Sequence, residues 1–271
     1  MRILFMGTPD IAAECLKALY SAGHDICAVY TRRDKPVGRK QVLTAPPVKE
    51  VAREHGTPVF QPRTLRDGSE DANIRALAPE LIVVVAYGCI LPKSVLELPK
   101  YGCINLHVSL LPKYRGSAPV QWSVLNGDAE TGVSIMRIGH GVDTGAYCAQ
   151  ASCAVPGKSA DELTAELAEL GGDLLVSTLP AIADGSAVWT EQDESLVTHA
   201  AKIAKAELRL DPAAGALENI RRVMASSNTA PARCVIAGKP VRVMRAAAVD
   251  AASPSVAAGS FTVKGGRVYM G

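Results

Sequence analysis

Leu81-Ile82-Val83-Val84-Val85-Ala86 is the stretch that decides the fold. Six apolar residues in a row, four of them β-branched, leave no face for water. A strand of that kind must be covered on both sides, which predicts a central parallel strand between two layers of helices. Toward the N-terminus the chain alternates accordingly. Arg2 to Met6 reads as a buried strand, Ile11 to Tyr20 as a helix ending at Gly23, and Asp25 to Tyr30 as a second strand. Pro46-Pro47 opens a helix reaching His55-Gly56, Pro58 to Gln61 is a short strand, and Asn73 to Leu77 lies in a further helix. Toward the C-terminus, Cys103 to His107 and the alternating run Val133 to Ile138 read as strands, and Ala146 to Val155 as an extended partner at the sheet edge. The pattern predicts an α/β, doubly wound, mostly parallel sheet with right-handed crossovers. Ligands of such a sheet sit beyond the carboxyl ends of its strands, here just after residues 6, 86 and 106.

Ser159-Ala160-Asp161-Glu162 is a capping box, and Leu163, Leu167, Leu170 and Leu174 follow at helical spacing, so an amphipathic helix is expected to end the first domain. The polar run from Ala183 to about His199 reads as a connector. Beyond Asp211, a helix from Ala213 to Met224 precedes strand-like runs at Cys234 to Ala237, Val241 to Arg245 and Ser260 to Val263, the makings of a small β-barrel-like module. The expected division is 1–182 as the catalytic domain, 183–206 as linker and 207–271 as the second, smaller domain. No internal repeat or low-complexity tract interrupts it.

Composition narrows the function classes. No run of about 18 apolar residues occurs, and Ile3-Leu4-Phe5-Met6 breaks at once into Gly7-Thr8-Pro9, so neither a membrane span nor a signal peptide is expected. Seven scattered cysteines without a C-x-x-C pair suggest reduced thiols in a cytoplasmic protein, with no zinc and no disulfide framework. The net charge of +2 hides an asymmetry. Residues 201–271 hold 11 Lys or Arg against four acids, +7, which leaves 18 against 23, −5, for the first 200. A basic module beside an acidic body suggests a polyanionic partner, although a merely soluble basic domain would look the same.

Gly7-Thr8-Pro9-Asp10 occupies the place of a dinucleotide-binding glycine loop but is not G-x-G-x-x-G. One glycine and a proline do not allow the close backbone approach that pyrophosphate needs, which excludes a nicotinamide or flavin enzyme. The informative segment is Asn105-Leu106-His107-Val108-Ser109-Leu110-Leu111-Pro112-Lys113-Tyr114-Arg115-Gly116. On a strand, Asn105 and His107 project to one face, so a carboxamide donor and an imidazole stand together at the ligand-binding edge. That pair suits acyl transfer, because both can hold the oxyanion of a tetrahedral intermediate. Gly139-His140-Gly141-Val142-Asp143-Thr144-Gly145 then places one acid among three glycines directly after a strand. Asp143 could approach and orient His107 there, although taken by itself the acid is better accounted for by an Asx-turn.

Four ordered blocks carry a resemblance: Met1 to Asp10; Asn105-x-His107-x-Ser109-Leu110-Leu111-Pro112-x-Tyr114-Arg115-Gly116; Asn126-Gly127-Asp128-x-x-Thr131-Gly132-Val133; and Asp143-Thr144-Gly145. Together they resemble the methionyl-tRNA formyltransferases over about the first 205 residues. The resemblance implies a Rossmann-like, folate-binding domain using 10-formyltetrahydrofolate as formyl donor, without a metal. Asn105, His107 and Asp143 match the family's catalytic trio. Ser109, Leu110, Leu111 and Pro112 match its folate-contacting turn, and the pterin is expected against Ala86-Tyr87-Gly88.

The same resemblance implies initiator methionyl-tRNA as acceptor, and a monomer is expected. Thr31 to Gln41 holds five cations and one acid; Lys35, Pro36, Gly38 and Arg39 match a basic insertion that reaches the tRNA acceptor end in the family, and Lys40 adjoins them. Ala201 to Glu207 resembles the basic entry to the family's tRNA-binding barrel, giving Lys205 and Arg209 as further tRNA contacts. Beyond it the chain departs from the family pattern, with Leu210-Asp211-Pro212 and Ser227-Asn228-Thr229-Ala230-Pro231, and stops short of where that barrel would close. A truncated or shortened barrel is therefore expected. The alternative acceptor is an amino sugar on a nucleotide carrier. A non-catalytic folate or RNA module and a formyl-folate hydrolase are the remaining readings, and the intact trio and the basic half speak against them respectively.

Overall fold

The computed structural model describes every residue except 39, 140, 229, 250–254 and 266. Its contacts cluster into two compact units. The first comprises Met1–Arg115, Gly132–Cys153 and Ala165–Thr198, and the second Gly116–Thr131, Ala154–Thr164 and His199–Gly271.

The elements run β1 (Arg2–Gly7), α1 (Asp10–Ser21), β2 (Asp25–Tyr30), β3 (Lys35–Val37), β4 (Val42–Thr44), α2 (Pro47–Glu54), β5 (Val59–Phe60), α3 (Asp71–Leu77), β6 (Leu81–Val85), α4 (Lys93–Leu96), β7 (Cys103–His107) and β8 (Arg115–Gly116). There follow α5 (Pro119–Asn126), β9 (Glu130–Arg137), β10 (Tyr147–Ala154), α6 (Ala160–Asp184), β11 (His199–Ala200), α7 (Ala216–Met224), β12 (Ala232–Ile236), β13 (Lys239–Val243), β14 (Phe261–Lys264) and β15 (Arg267–Met270).

The first unit is built on a seven-stranded sheet in the order β10-β9-β7-β6-β1-β2-β5, with β6 in the middle as its composition requires. Leu81 to Val85 are all buried, each worth about 1.5–3 kcal/mol relative to exposure. The pairs β5–β2, β2–β1, β1–β6 and β6–β7 are parallel, and β9 runs antiparallel to β7 with His107 opposite Ser134 and Asn105 opposite Met136. Strand order reverses between β1 and β6, which makes the crevice beyond Gly7 and Val85 the topological switch point. Leu106, between the two candidate side chains of β7, is 3 % exposed and points the other way, toward α6. Gly171 of α6 allows that approach, since a Cβ there would lie 2.7 Å from a Leu106 methyl. The capping box holds as read, with the Ser159 N–H donating to Glu162 Oε2 at 2.8 Å and the Glu162 N–H to Ser159 Oγ at 3.3 Å.

In the second unit, α7 begins at Ala216 rather than Ala213. Asp211 turns the chain before it, accepting from the Ala213 N–H at 2.9 Å and being held by Asn219 on its own N–H and carbonyl. The C-terminal strands form two separate two-stranded pairs, β12–β13 and β14–β15, and no closed barrel appears among the described residues.

Candidate active site

Gly7 owes its place to packing. A Cβ there would sit 2.7 Å from both Ala12 and the Phe5 ring, so the glycine brings α1 against β1 instead of cradling a phosphate. Across the switch point, the Thr8 hydroxyl donates to the Tyr87 carbonyl at 3.1 Å. Ala86 and Gly88 both have positive φ, 46° and 76°, and both are exposed, whereas Tyr87 is buried in a core cluster with Tyr30, Leu65 and Ile74. Of the three residues expected against the pterin, Ala86 and Gly88 are exposed beside the switch point. The Tyr87 ring is buried, and that burial, followed by the nearby Cys89 thiol, holds its phenol above the ordinary range.

The β7 strand delivers the predicted pair. Asn105 is half-buried, and among the described residues no hydrogen bond engages its carboxamide, which is therefore free for a ligand. His107 is buried, with Nε2 2.9 Å from the Tyr114 carbonyl and Nδ1 3.7 Å from Asp143 Oδ2. Nε2 facing a carbonyl requires an N–H there, so the ring's remaining nitrogen is the one turned to the carboxylate. Asp143 itself has a φ of 52°, a left-handed conformation that costs a non-glycine residue about 1–2 kcal/mol. Sequence spacing alone could not decide whether Asp143 meets His107. The fold brings them together.

The turn after β7 is braced from within. The Ser109 side chain is fully buried and its hydroxyl donates to the Lys113 carbonyl at 2.6 Å, so it supports the turn. Leu110 and Pro112 remain half-buried, Leu111 is buried, and the Leu111–Pro112 peptide is cis. Sequence reading missed the residues that hold this turn. Ser134 Oγ donates to the Ser109 carbonyl at 2.6 Å and accepts from the Leu111 N–H at 3.1 Å, while Gln150 Nε2 donates to the Leu111 carbonyl at 2.9 Å. A serine on the inward face of an otherwise apolar β9 was the signal available. Gln150 gave none.

The predicted acceptor contacts fall in both units. Lys35 stands exposed on β3 and Lys40 exposed in the turn before β4, while Arg39 lies outside the described residues. In the second unit, Lys205 and Arg209 line a shallow groove together with Arg233, Cys234 and Pro240. Among the described residues no cluster of His, Cys, Asp or Glu could hold a metal, and no helix is long and apolar enough to cross a membrane. All seven cysteines are free, and burial pushes the Cys15 and Cys103 thiols up to about 12, which removes them as nucleophiles.

Residues 1–179 match the family model described as formyl transferase. The chain belongs to the formyl transferase family. Solved structures of similar fold include HypX from Aquifex aeolicus in complex with tetrahydrofolic acid, at 18 % identity and a TM-score of 0.68 over 90 % of this chain and 37 % of that one. WlaRD, a sugar 3N-formyl transferase solved with dTDP and 5-N-formyl-THF, matches at 18 % identity and a TM-score of 0.71, covering 98 % of this chain and 91 % of its own. The N-formyltransferase from Helicobacter canadensis, in complex with folinic acid and dTDP-3-aminofucose, matches at 17 % identity and 0.69, covering 89 % and 86 %. The chain thus spans well under half of HypX and most of the other two proteins.

Proposed function

We propose that this formyltransferase takes its formyl group from 10-formyltetrahydrofolate and passes it to the α-amine of methionyl-tRNA. The folate reading is supported by the family match and by the folates bound in the solved neighbours. It also fits the site, where Ala86 and Gly88 expose backbone beside the switch point and Asn105 keeps its carboxamide unspent. The acceptor amine attacks the formyl carbon, a C–N bond forms, and the carbon's bond to the folate nitrogen breaks. The proton released by the amine ends on that nitrogen. Asn105 donates to the developing oxyanion beside the His107 imidazole, and Asp143 orients that ring and receives the amine proton in transit.

The observation that carries the acceptor is the β3–β4 hairpin. Among the described residues its strands pair only with each other, every strand residue is exposed, and Lys35 and Lys40 sit beside exposed Val37, Val42 and Leu43. A projecting arm with cations and apolar tips suits a large polyanion better than a small nucleotide sugar, which calls for a pocket. The domain division at 182 and 206, with Lys205 and Arg209 as additional tRNA contacts, belongs to the same proposal.

A second reading is favoured by the solved neighbours, among them a sugar 3N-formyl transferase and an N-formyltransferase in complex with dTDP-3-aminofucose. On that line of support the amino-sugar acceptor stands ahead of tRNA. One assay separates them. The protein is incubated with 10-formyltetrahydrofolate and either methionyl-tRNA or a panel of dTDP- and UDP-amino sugars, and the formylated product is identified by mass spectrometry. Formyl-methionine released from tRNA is expected; formylation of a sugar alone overturns the tRNA acceptor, and no transfer to either overturns both.

A further inference from the structure

The polar run from Ala183 to His199 lies beyond the residues that the family model matches. Its geometry is that of a strap. Thr190 forms an antiparallel bridge with Tyr147, with hydrogen bonds of 3.0 and 2.8 Å, and Trp189 stacks under the Arg137 guanidinium at 4.1 Å. Gln192, 8 % exposed, then reaches the candidate site. Its Nε2 donates to the carbonyls of Asp143 and Gly145, both at 2.8 Å, and its Oε1 accepts from Arg115 Nε at 2.8 Å. Arg115 is itself buried and paired with Glu194 at 2.7 Å.

Six residues later the strap meets the other partner. Thr198 Oγ1 accepts from the Tyr114 N–H at 2.8 Å, and the Arg115 N–H donates to the Thr198 carbonyl at 2.9 Å. Tyr114 is the residue whose carbonyl faces His107 Nε2 at 2.9 Å. One short segment therefore grips the Asp143 loop at one end and the His107 support at the other.

We propose that residues 190–198 are a positioning strap that sets the His107–Asp143 geometry, with Gln192 as its principal positioning residue for formyl transfer. The inference rests on Asp143 and His107 being the catalytic pair. A left-handed aspartate is retained only where its surroundings over-determine it, and the two Gln192 bonds fix the carbonyls on either side of Thr144. The amide is needed for both its halves: two N–H donors for two carbonyls and one oxygen for Arg115. A carboxylate of the same shape would set lone pairs against the two carbonyl oxygens.

The test is steady-state kinetics on the full chain bearing Gln192→Ala, Gln192→Glu, Asp143→Asn and each Gln192 change combined with Asp143→Asn. Loss of positioning should lower kcat at least ~tenfold in both single Gln192 variants, with KM for 10-formyltetrahydrofolate held within about twofold. Added to Asp143→Asn, either change should cost less than about twofold more, because the group being positioned is already gone. A merely structural role would give the same loss in both backgrounds, and that outcome overturns the strap. Near-normal kcat in the Gln192 variants beside a disabled Asp143→Asn overturns the strap while leaving the catalytic pair standing. Near-normal turnover of Asp143→Asn overturns the pair and the strap together. Should Gln192→Ala fail to fold, the isosteric Gln192→Glu carries the comparison.

Discussion

Asn105 presents a carboxamide that no described neighbour uses, so its removal leaves the surrounding hydrogen bonds intact. Asn105→Ala should therefore lower kcat by about 10²–10³-fold, the loss of one oxyanion donor, while the thermal midpoint stays near that of the parent. Rapid-quench kinetics beside a melting curve checks both, and a kcat within twofold of the parent would remove Asn105 from the oxyanion site. Asn105 and His107 were legible from their two-residue spacing, since a strand fixes which side chains share a face. Asp143 was not, because whether a glycine-flanked acid turns inward depends on Gln192, 49 residues away, and nothing in local sequence encodes that contact. Ser134 was half-legible as a polar residue on an apolar strand face. The Ser109 hydroxyl braces the turn from within, a contact between residues four apart that the motif alone does not specify.

At the scale of elements, the alternation of buried strands and amphipathic helices set β1, β2, β6 and β7 in place from sequence, because a fully apolar run such as Leu81 to Val85 has only one solution in water. The C-terminal strands were less legible, since short hairpins exposed on both faces leave little hydrophobic pattern to read. Helix α6 touches the site from behind through Gly171 and Leu106. Gly171→Ala adds a methyl 2.7 Å from Leu106 Cδ2. Ala is the better helix former by about 1 kcal/mol, yet overpacking a filled core costs about 1–3 kcal/mol. A net loss of stability is expected in urea unfolding, together with reduced kcat as β7 shifts; a stabilised protein would mean that Leu106 yields freely. The hairpin arm has its own anchor in Asp34. The Lys49 ammonium, at 2.7 Å, and then the Gln61 amide hold its carboxyl below the ordinary carboxylate range. A depressed folded value means that the contribution is complete above the unfolded pKa and is lost as pH falls through the folded one. Amide exchange in Lys35 to Thr44 should therefore accelerate below about pH 4, and Asp34→Asn should abolish that pH dependence. A profile unchanged by Asp34→Asn would place the anchor elsewhere.

For the whole molecule, charge separates the two acceptor readings. The chain is −5 through residue 200 and +7 beyond it, and the hairpin of the first unit carries exposed Lys35 and Lys40 of its own. A polyanion that neutralises several of these releases condensed counterions, so its binding weakens with salt by a log–log slope of about 0.7–0.9 per phosphate contact. With four such contacts, raising salt from about 50 to about 200 mM should raise KM for methionyl-tRNA on the order of 100-fold. KM for 10-formyltetrahydrofolate should move only a few-fold, since the site proposed for it, at Ala86, Gly88 and Asn105, draws on no lysine or arginine. A dTDP-amino sugar carries one pyrophosphate and would show a far shallower slope. Lys35→Gln and Lys40→Gln should each reduce the slope by about one contact without altering kcat at saturating acceptor. A slope unchanged by both substitutions would detach the hairpin from the acceptor, and the groove of Lys205, Arg209 and Arg233 would become the next place to look, by the same measurement on the same chain.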